Sequence, residues 1–192
     1  MESIKMKLTG LSPLLMHNGD MANPLHKHAK ALAKLSKGAK GKKTEEVYML
    51  MSDVEFEGGM YFDKDVGPYI PGECLDAAMV SGAKLTRLGT AVKRGAQVLD
   101  DKCPLIYKGP RDMDGLIASP EFRLMKPVKV GAAKVVRTRP MFSQWSLEFT
   151  WLYAPDQFDR ETLIDIAETT GRLVGLCDWR PRYGKFKAEV IS

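Results

Sequence analysis

Residues 171–186 combine the residue types that bind phosphate groups and nucleobases. This stretch contains three glycines, three arginines, one tryptophan and one tyrosine. Glycine adopts positive φ angles and lets another backbone come close, arginine presents a planar fork of donors to phosphate, and aromatic rings present faces on which bases stack. The pattern predicts a nucleic-acid-binding loop, with contacts from Trp179, Arg180, Arg182, Tyr183 and Lys185.

A second segment concentrates positive charge without any acidic residue. Residues 124–147 contain no Asp or Glu, and their cations are Lys126, Lys129, Lys134, Arg137 and Arg139. Residues 137 and 139 share one face of a strand, and with the loop they would form a basic stripe along one nucleic-acid backbone. When such a cluster binds nucleic acid, it releases the counterions of the phosphates, and this release dominates the binding affinity. The alternative is that these are solvated strand-edge charges, which limit aggregation.

A third acid-free segment, residues 27–43, contains seven lysines. It lies within a basic helical arm, predicted over residues 24–43, whose candidate contacts are Lys37, Lys40, Lys42 and Lys43. Two interpretations remain open. The arm is either a solubilising insertion or an element that closes over a nucleic-acid strand or a neighbouring subunit and becomes ordered on binding.

Composition limits the class of protein. The chain has 192 residues, a net charge of +5 and 44% hydrophobic residues, which fits one domain with insertions. Its three cysteines lie far apart, which disfavours a disulfide framework or zinc site and fits a reducing compartment. There is no signal-like apolar run and no segment of the roughly 20 apolar residues that a membrane helix needs. We expect a cytoplasmic protein with no metal or other cofactor.

Alternation of apolar and polar residues predicts the strands. Residues 3–9 alternate over one strand with a buried face. Residues 126–138 and 144–153 look like the two arms of a hairpin, and both tryptophans of the second arm share a face that is expected in the core. Residues 186–190 alternate again and form the final strand.

Helical spacing and capping residues predict the helices. We expect helices over 24–36, from Thr44 onwards, over 72–88 and over 160–173, the last capped by Asp156 or Asp159. Residues 55–63 contain a glycine pair and aromatic residues, which favour a strand or hairpin there.

The order of these elements predicts the fold class. With the insertions at 14–70 and 95–125 set aside, the chain reads strand, helix, strand, strand, helix, strand. This βαββαβ order is typical of a ferredoxin-like or RRM-like α+β fold, in which an antiparallel sheet carries both helices on one face. We therefore expect residues 1–192 to form a single domain with this core and a basic helical insertion.

Two glycine-containing motifs at these topological positions resemble those of a known superfamily. The first is the loop between the last helix and the last strand, with Gly171, Gly175, Arg180, Arg182 and Gly184; the second is Ile70-Pro71-Gly72 at the start of a helix. Both resemble the repeat-associated mysterious protein (RAMP) superfamily, which supplies backbone and guide-processing subunits of CRISPR effector complexes. Stand-alone and virus-encoded relatives would carry the same features.

The resemblance also implies a role for one histidine. Some guide-processing members of the superfamily use a histidine as general acid and base on the RNA 2′-hydroxyl, and His17 follows the first strand here. His17 is thus a weak catalytic candidate. His26 and His28 form an H-x-H pair, which a helix would direct about 200° apart, so a shared metal is not expected.

These observations lead to one main function and two alternatives. The main prediction is a non-enzymatic protein that binds single-stranded nucleic acid, RNA rather than DNA, through its backbone, and assembles as a homo-oligomer or as a subunit of a ribonucleoprotein. One alternative is a metal-independent endoribonuclease that uses His17. The other is a protein that docks on or imitates a CRISPR effector subunit, such as a viral inhibitor acting in the host cytoplasm.

Overall fold

The computed structural model describes residues 1–37 and 43–191, which form an α+β structure with antiparallel sheets. The chain divides into two compact units. Unit 1 comprises Met1–Leu15, Asp63–Lys108 and Phe142–Ser192, and unit 2 comprises Met16–Phe62 and Gly109–Met141.

The described elements are numbered in chain order. The strands are β1 (Glu2–Gly10), β2 (Leu14–Leu15), β3 (Phe62–Asp63), β4 (Gly67–Pro71), β5 (Ala96–Val98), β6 (Lys102–Pro104), β7 (Arg123–Val130), β8 (Ala133–Phe142), β9 (Ser146–Tyr153) and β10 (Phe186–Val190). The helices are α1 (Lys27–Lys37), α2 (Glu45–Gly59), α3 (Gly72–Ala83), α4 (Gly89–Gly95), α5 (Met113–Ala118) and α6 (Arg160–Thr169). A π-helical turn, Thr170–Val174, continues α6.

The main sheet of unit 1 has the strand order β10-β1-β9-β5, and every neighbouring pair is antiparallel. β1 is central: Met6 lies opposite Phe149 on one side and Val190 on the other. Ile4, Met6 and Leu8 are buried, which confirms the alternation predicted for this strand. Trp145 and Trp151 are also buried, as expected.

The other face of this sheet carries mixed charges. Lys5 pairs with Glu148 at 3.3 Å, and Lys187 pairs with Glu189 at 2.6 Å. No aromatic residue of β1, β5, β9 or β10 is among the partly or fully exposed positions of this face. Bases therefore have no aromatic platform here of the kind that RRM sheets provide.

Helices α3 and α6 pack against each other, and α3 contacts β5 while α6 contacts β10. The close approach depends on Gly82 of α3, because a Cβ there would lie 1.9 Å from Oγ1 of Thr170. The Asp159 side chain accepts the Thr162 N–H at 2.7 Å and caps α6, which confirms one of the two predicted caps.

Unit 2 is built around α2 and the β7–β8 hairpin. The Thr44 hydroxyl caps α2 by accepting the Val47 N–H at 3.4 Å. Helix α1 packs against α2. It begins at Lys27, three residues after the predicted start, because Asn23 accepts the Leu25 N–H in a preceding turn.

The predicted hairpin between residues 126–138 and 144–153 is wrong. β7 pairs with β8, with Lys126 opposite Arg137, whereas β9 pairs with β1 and β5. Alternation reports which residues share a face and carries no information about the partner strand. In chain order, the second strand of the main sheet is therefore β5, which lies in the segment 95–125 that was expected to be an insertion.

One predicted helix boundary and one predicted strand are also wrong. The helix expected over 72–88 ends at Ala83, and a short turn to Arg87 precedes α4, so Leu85 is 56% exposed and lies outside the core. The strand or hairpin expected over 55–63 is mostly the last part of α2. The Gly58–Gly59 pair serves close packing here, since a Cβ on Gly58 would lie 2.3 Å from the Met21 sulfur.

The cysteines are free thiols. Cys103 is buried, and burial raises its pKa to about 12. Desolvation also raises the pKa of the half-buried Cys177 thiol. Both thiols are therefore poor nucleophiles. Within residues 1–37 and 43–191, no helix combines the length and apolar character needed to cross a bilayer.

Candidate nucleic-acid interface

The loop between α6 and β10 closes on itself at a narrow neck. The Leu176 N–H donates to the Gly184 carbonyl at 2.9 Å. Gly175 and Gly184 have φ angles of 80° and 73°, which favour glycine. A Cβ on Gly184 would lie 1.9 Å from the Leu176 oxygen, so the neck leaves no room for a side chain at this position.

The segment that follows β1 holds this loop in place. The Lys185 N–H donates to the Ser12 hydroxyl at 2.9 Å, and the Gly184 N–H donates to the Pro13 carbonyl at 2.9 Å. The Asp178 N–H donates to the Leu15 carbonyl at 3.0 Å. The loop is thus fixed at three points within unit 1, and its tip has a defined position relative to the sheet.

The tip presents the predicted arginines to solvent. Arg180 and Arg182 are exposed, while Trp179, Tyr183 and Lys185 are half-buried. The Trp179 and Tyr183 rings meet edge to face, with centroids 6.0 Å apart and an interplanar angle of 61°. Trp179 has a φ of 52°, which costs about 1–3 kcal/mol for a bulky residue. The rings support the tip and keep part of their surfaces accessible.

The predicted cations of unit 2 lie on the β7–β8 hairpin. Lys129 lies directly opposite Lys134, and both are exposed. Lys126 lies directly opposite Arg137, and both are half-buried. Like charges directly opposite each other repel, and the exposed Lys129–Lys134 pair therefore concentrates positive charge on this part of the hairpin.

A buried polar cluster orients one of these cations. Arg137 pairs with Glu55 of α2 at 2.6 Å, and the second oxygen of Glu55 accepts the Thr138 N–H at 2.8 Å. Ser52 accepts from Thr138 and from Arg123, each at 2.9 Å. Glu55 and Ser52 were missed because their partners Arg123, Arg137 and Thr138 lie more than 70 residues away in the sequence.

This cluster lies beside a cavity that also contains the catalytic candidate. The cavity has a volume of about 230 Å³ and is lined in part by His17, Glu55, Arg137 and Arg139. His17 is exposed, and the Tyr61 hydroxyl donates to its carbonyl at 3.4 Å. The structure thus brings together three of the predicted residues, His17, Arg137 and Arg139, within unit 2.

The predicted basic arm is described only in part. Helix α1 has no buried residue, and Lys37 at its end is exposed. The half-buried Lys43 holds its ammonium 6.0 Å from the centre of the Tyr48 ring. Lys40 and Lys42 lie outside the described residues.

The expected orientation of the histidine pair is wrong. His26 precedes α1 and His28 lies on it, and their rings meet at 5.4 Å between centroids. Burial and the neighbouring Lys27 and His26 lower the pKa of His28. In the part of the chain that the structure describes, no group of three or more His, Cys, Asp or Glu residues has the arrangement of a metal site.

Comparison with known proteins gives no assignment. The chain matches no protein-family model, and no curated protein is significantly similar to it in sequence.

Proposed function

We propose that this protein binds single-stranded nucleic acid through the phosphate backbone, with little sequence preference. The observation that carries the proposal is the α6–β10 loop, which is closed at its neck and fixed to residues 12–15, so that Arg180 and Arg182 are presented outward. A loop whose backbone is already fixed loses less conformational entropy when its arginines bind phosphate.

The arrangement of elements in unit 1 supports the choice of ligand. The strands of its main sheet and the helices α3 and α6 follow the chain order β1, α3, β5, β9, α6, β10, and the sheet order is β10-β1-β9-β5. We propose that this is a ferredoxin-like core and that the chain is a relative of the RAMP superfamily. RNA is favoured over DNA because of that resemblance.

The dependence of affinity on salt tests the proposal. For single strands, each phosphate contact contributes about 0.7 to the slope of log K against log salt. We expect Arg180→Ala/Arg182→Ala to lower that slope by about 1.4 and to weaken binding of a 20-nucleotide RNA roughly twentyfold at 0.1 M salt. The measurement is fluorescence anisotropy over a salt series.

The matched control removes two exposed lysines of unit 1 that lie outside the loop, Lys64 and Lys108. The Lys64→Ala/Lys108→Ala variant should bind within about threefold of the wild type, since distant surface charges are screened. An affinity that does not change with salt, or an arginine variant no weaker than this control, contradicts the proposed function.

A metal-independent endoribonuclease is the second candidate, because the cavity in unit 2 places His17 with Arg137 and Arg139. There His17 would act as general acid or base while the arginines hold the scissile phosphate. We expect His17→Ala to lower RNA cleavage about 10²–10⁴-fold while binding stays within twofold. Cleavage is measured with EDTA present. If the His17→Ala variant cleaves RNA as fast as the wild type, the endoribonuclease candidate is excluded.

We further propose that copies of the chain assemble along the bound strand or join a ribonucleoprotein. The alternative of docking on a CRISPR effector complex predicts that the isolated protein binds no free RNA in the salt experiment, whereas the assembly model predicts that it does.

A further inference from the structure

Unit 1 carries an open groove that contains none of the residues predicted from the sequence to bind nucleic acid. The groove lies beside α3, α4 and β5 and encloses about 1180 Å³. Four exposed cations line it: Lys84, Arg87, Lys93 and Arg94. They come from one continuous stretch of chain between α3 and β5, which brings them into the same groove.

The charge of the groove is almost entirely positive. The sequence has no acidic residue between Asp76 and Asp100. Asp76 lines the groove as well, but its carboxylate accepts the Val98 N–H at 2.9 Å and so joins α3 to β5. Within the described ranges, the charged side-chain groups of the four cations have no hydrogen-bond or ion-pair partner. Uncompensated like charges in one groove raise the local concentration of anions.

One of these cations occupies a strained backbone position. Arg87 has a φ of 64° and ends the short turn after α3 with its N–H on the Lys84 carbonyl. Glycine is the usual residue at such a helix end, and a side chain there costs about 1–2 kcal/mol. The strain is explained if the Arg87 guanidinium has a binding role, because strained residues cluster at binding sites.

The size and lining of the groove restrict the class of ligand. Small-molecule pockets have volumes of about 300–1,000 Å³ and are mostly apolar, whereas this groove is larger and open. No aromatic residue is among its lining residues, so the groove offers bases no aromatic platform. Ser81, Thr90 and Gln97 add hydrogen-bonding groups. These features fit an extended polyanion that is held by its phosphates.

We propose that this groove is a second phosphate-backbone site, which holds single-stranded nucleic acid without reading its bases. The proposal rests on the proposed function for its ligand class, but it uses none of the residues of the α6–β10 loop.

The register of the main sheet separates the two sites. On the groove side, Ala96 lies opposite Tyr153, and Tyr153 in turn lies opposite Glu2 at the start of β1. On the side of the α6–β10 loop, Phe186 lies opposite Gly10 at the end of β1. These eight residue steps correspond to roughly 27 Å at about 3.4 Å per residue. One strand of nucleic acid that contacts both sites must therefore extend along unit 1.

The test compares two variants of the full chain that each lose four positive charges. The groove variant is Lys84→Gln/Arg87→Gln/Lys93→Gln/Arg94→Gln, and the control is Lys5→Gln/Lys64→Gln/Lys108→Gln/Arg160→Gln, whose residues are exposed and lie elsewhere in unit 1. Binding of 20-nucleotide oligo(U) and oligo(A) is measured by anisotropy over a salt series. If the groove variant melts early, Lys93→Gln/Arg94→Gln replaces it.

We expect the groove variant to lower the salt slope by about 2–3 and the affinity about a hundredfold at 0.1 M salt, equally for both oligonucleotides. The control should stay within about fivefold of the wild type. A groove variant that binds like the control overturns the second site alone, while the Arg180/Arg182 effect would persist. If the wild type binds neither oligonucleotide, both proposals fail, and an acidic protein becomes the ligand to test.

Discussion

Gly184→Ala is expected to destabilise unit 1 by about 3 kcal/mol or more, the largest effect of any change proposed for this chain. The methyl group would lie 1.9 Å from the Leu176 carbonyl oxygen, at a φ of 73°. The left-handed conformation alone costs about 1–2 kcal/mol, and overpacking adds about 1–3 kcal/mol. The backbone at the neck must move, and both hydrogen bonds of residue 184 would weaken.

Gly131→Ala is the matched control, because Gly131 also has a positive φ, of 59°, but nothing lies within 4 Å of its Cβ position. We expect it to cost about 1–2 kcal/mol, the conformational part alone. Urea unfolding followed by far-UV circular dichroism, which reports on the helices and strands of both units, measures both losses of stability. Equal losses of stability in the two variants would show that the neck is not tightly packed at Gly184.

Glu55→Ala is expected to destabilise unit 2 by about 3 kcal/mol. Removal of one partner from a buried ion pair costs about 3–5 kcal/mol, and the lower end applies because the Arg137 side chain is 30% exposed. The Thr138 N–H, whose residue is 1% exposed, also loses its acceptor. Arg137 would then leave its position at the cavity, so any RNA cleavage should fall in parallel with stability.

Glu57→Ala provides the comparison on the same helix. Glu57 is 38% exposed and pairs only loosely with His28, at 3.6 Å, so we expect a loss below about 1 kcal/mol. Hydrogen exchange of the Thr138 amide locates the effect, since it should accelerate in Glu55→Ala alone. If the Thr138 amide still exchanges slowly in Glu55→Ala, another group has replaced Glu55 as the acceptor of its hydrogen bond.

Local patterns predicted those parts of the fold that local physics determines. β1, β9 and β10 alternate between buried and more exposed residues, as a sheet with one buried face requires. Helix α6 has a capping residue, Asp159, three residues before the Thr162 N–H that it accepts. β5 has only three residues, too few for a period, and its place in the sheet depends on contacts with β9. Strand pairing was therefore the part that the sequence could not specify.

The candidate site shows the same division. The loop arginines were found because glycines, cations and aromatic residues lie together in the sequence. Glu55 was missed because its partners, Arg137 and Thr138, lie more than 80 residues away. The groove cations do have a signal in the sequence, because no acidic residue lies between Asp76 and Asp100.

The central position of β1 has a consequence for how the chain is made. Leu8 pairs with Leu147 and Ala188, so β1 leaves the ribosome 139 and 180 residues before its two partners. At a synthesis rate of about 5–20 residues per second, the second edge of β1 stays unpaired for roughly 10–40 seconds. Unit 1 completes its main sheet only after β10 has emerged, and until then the unpaired edge of β1 can pair with another nascent chain.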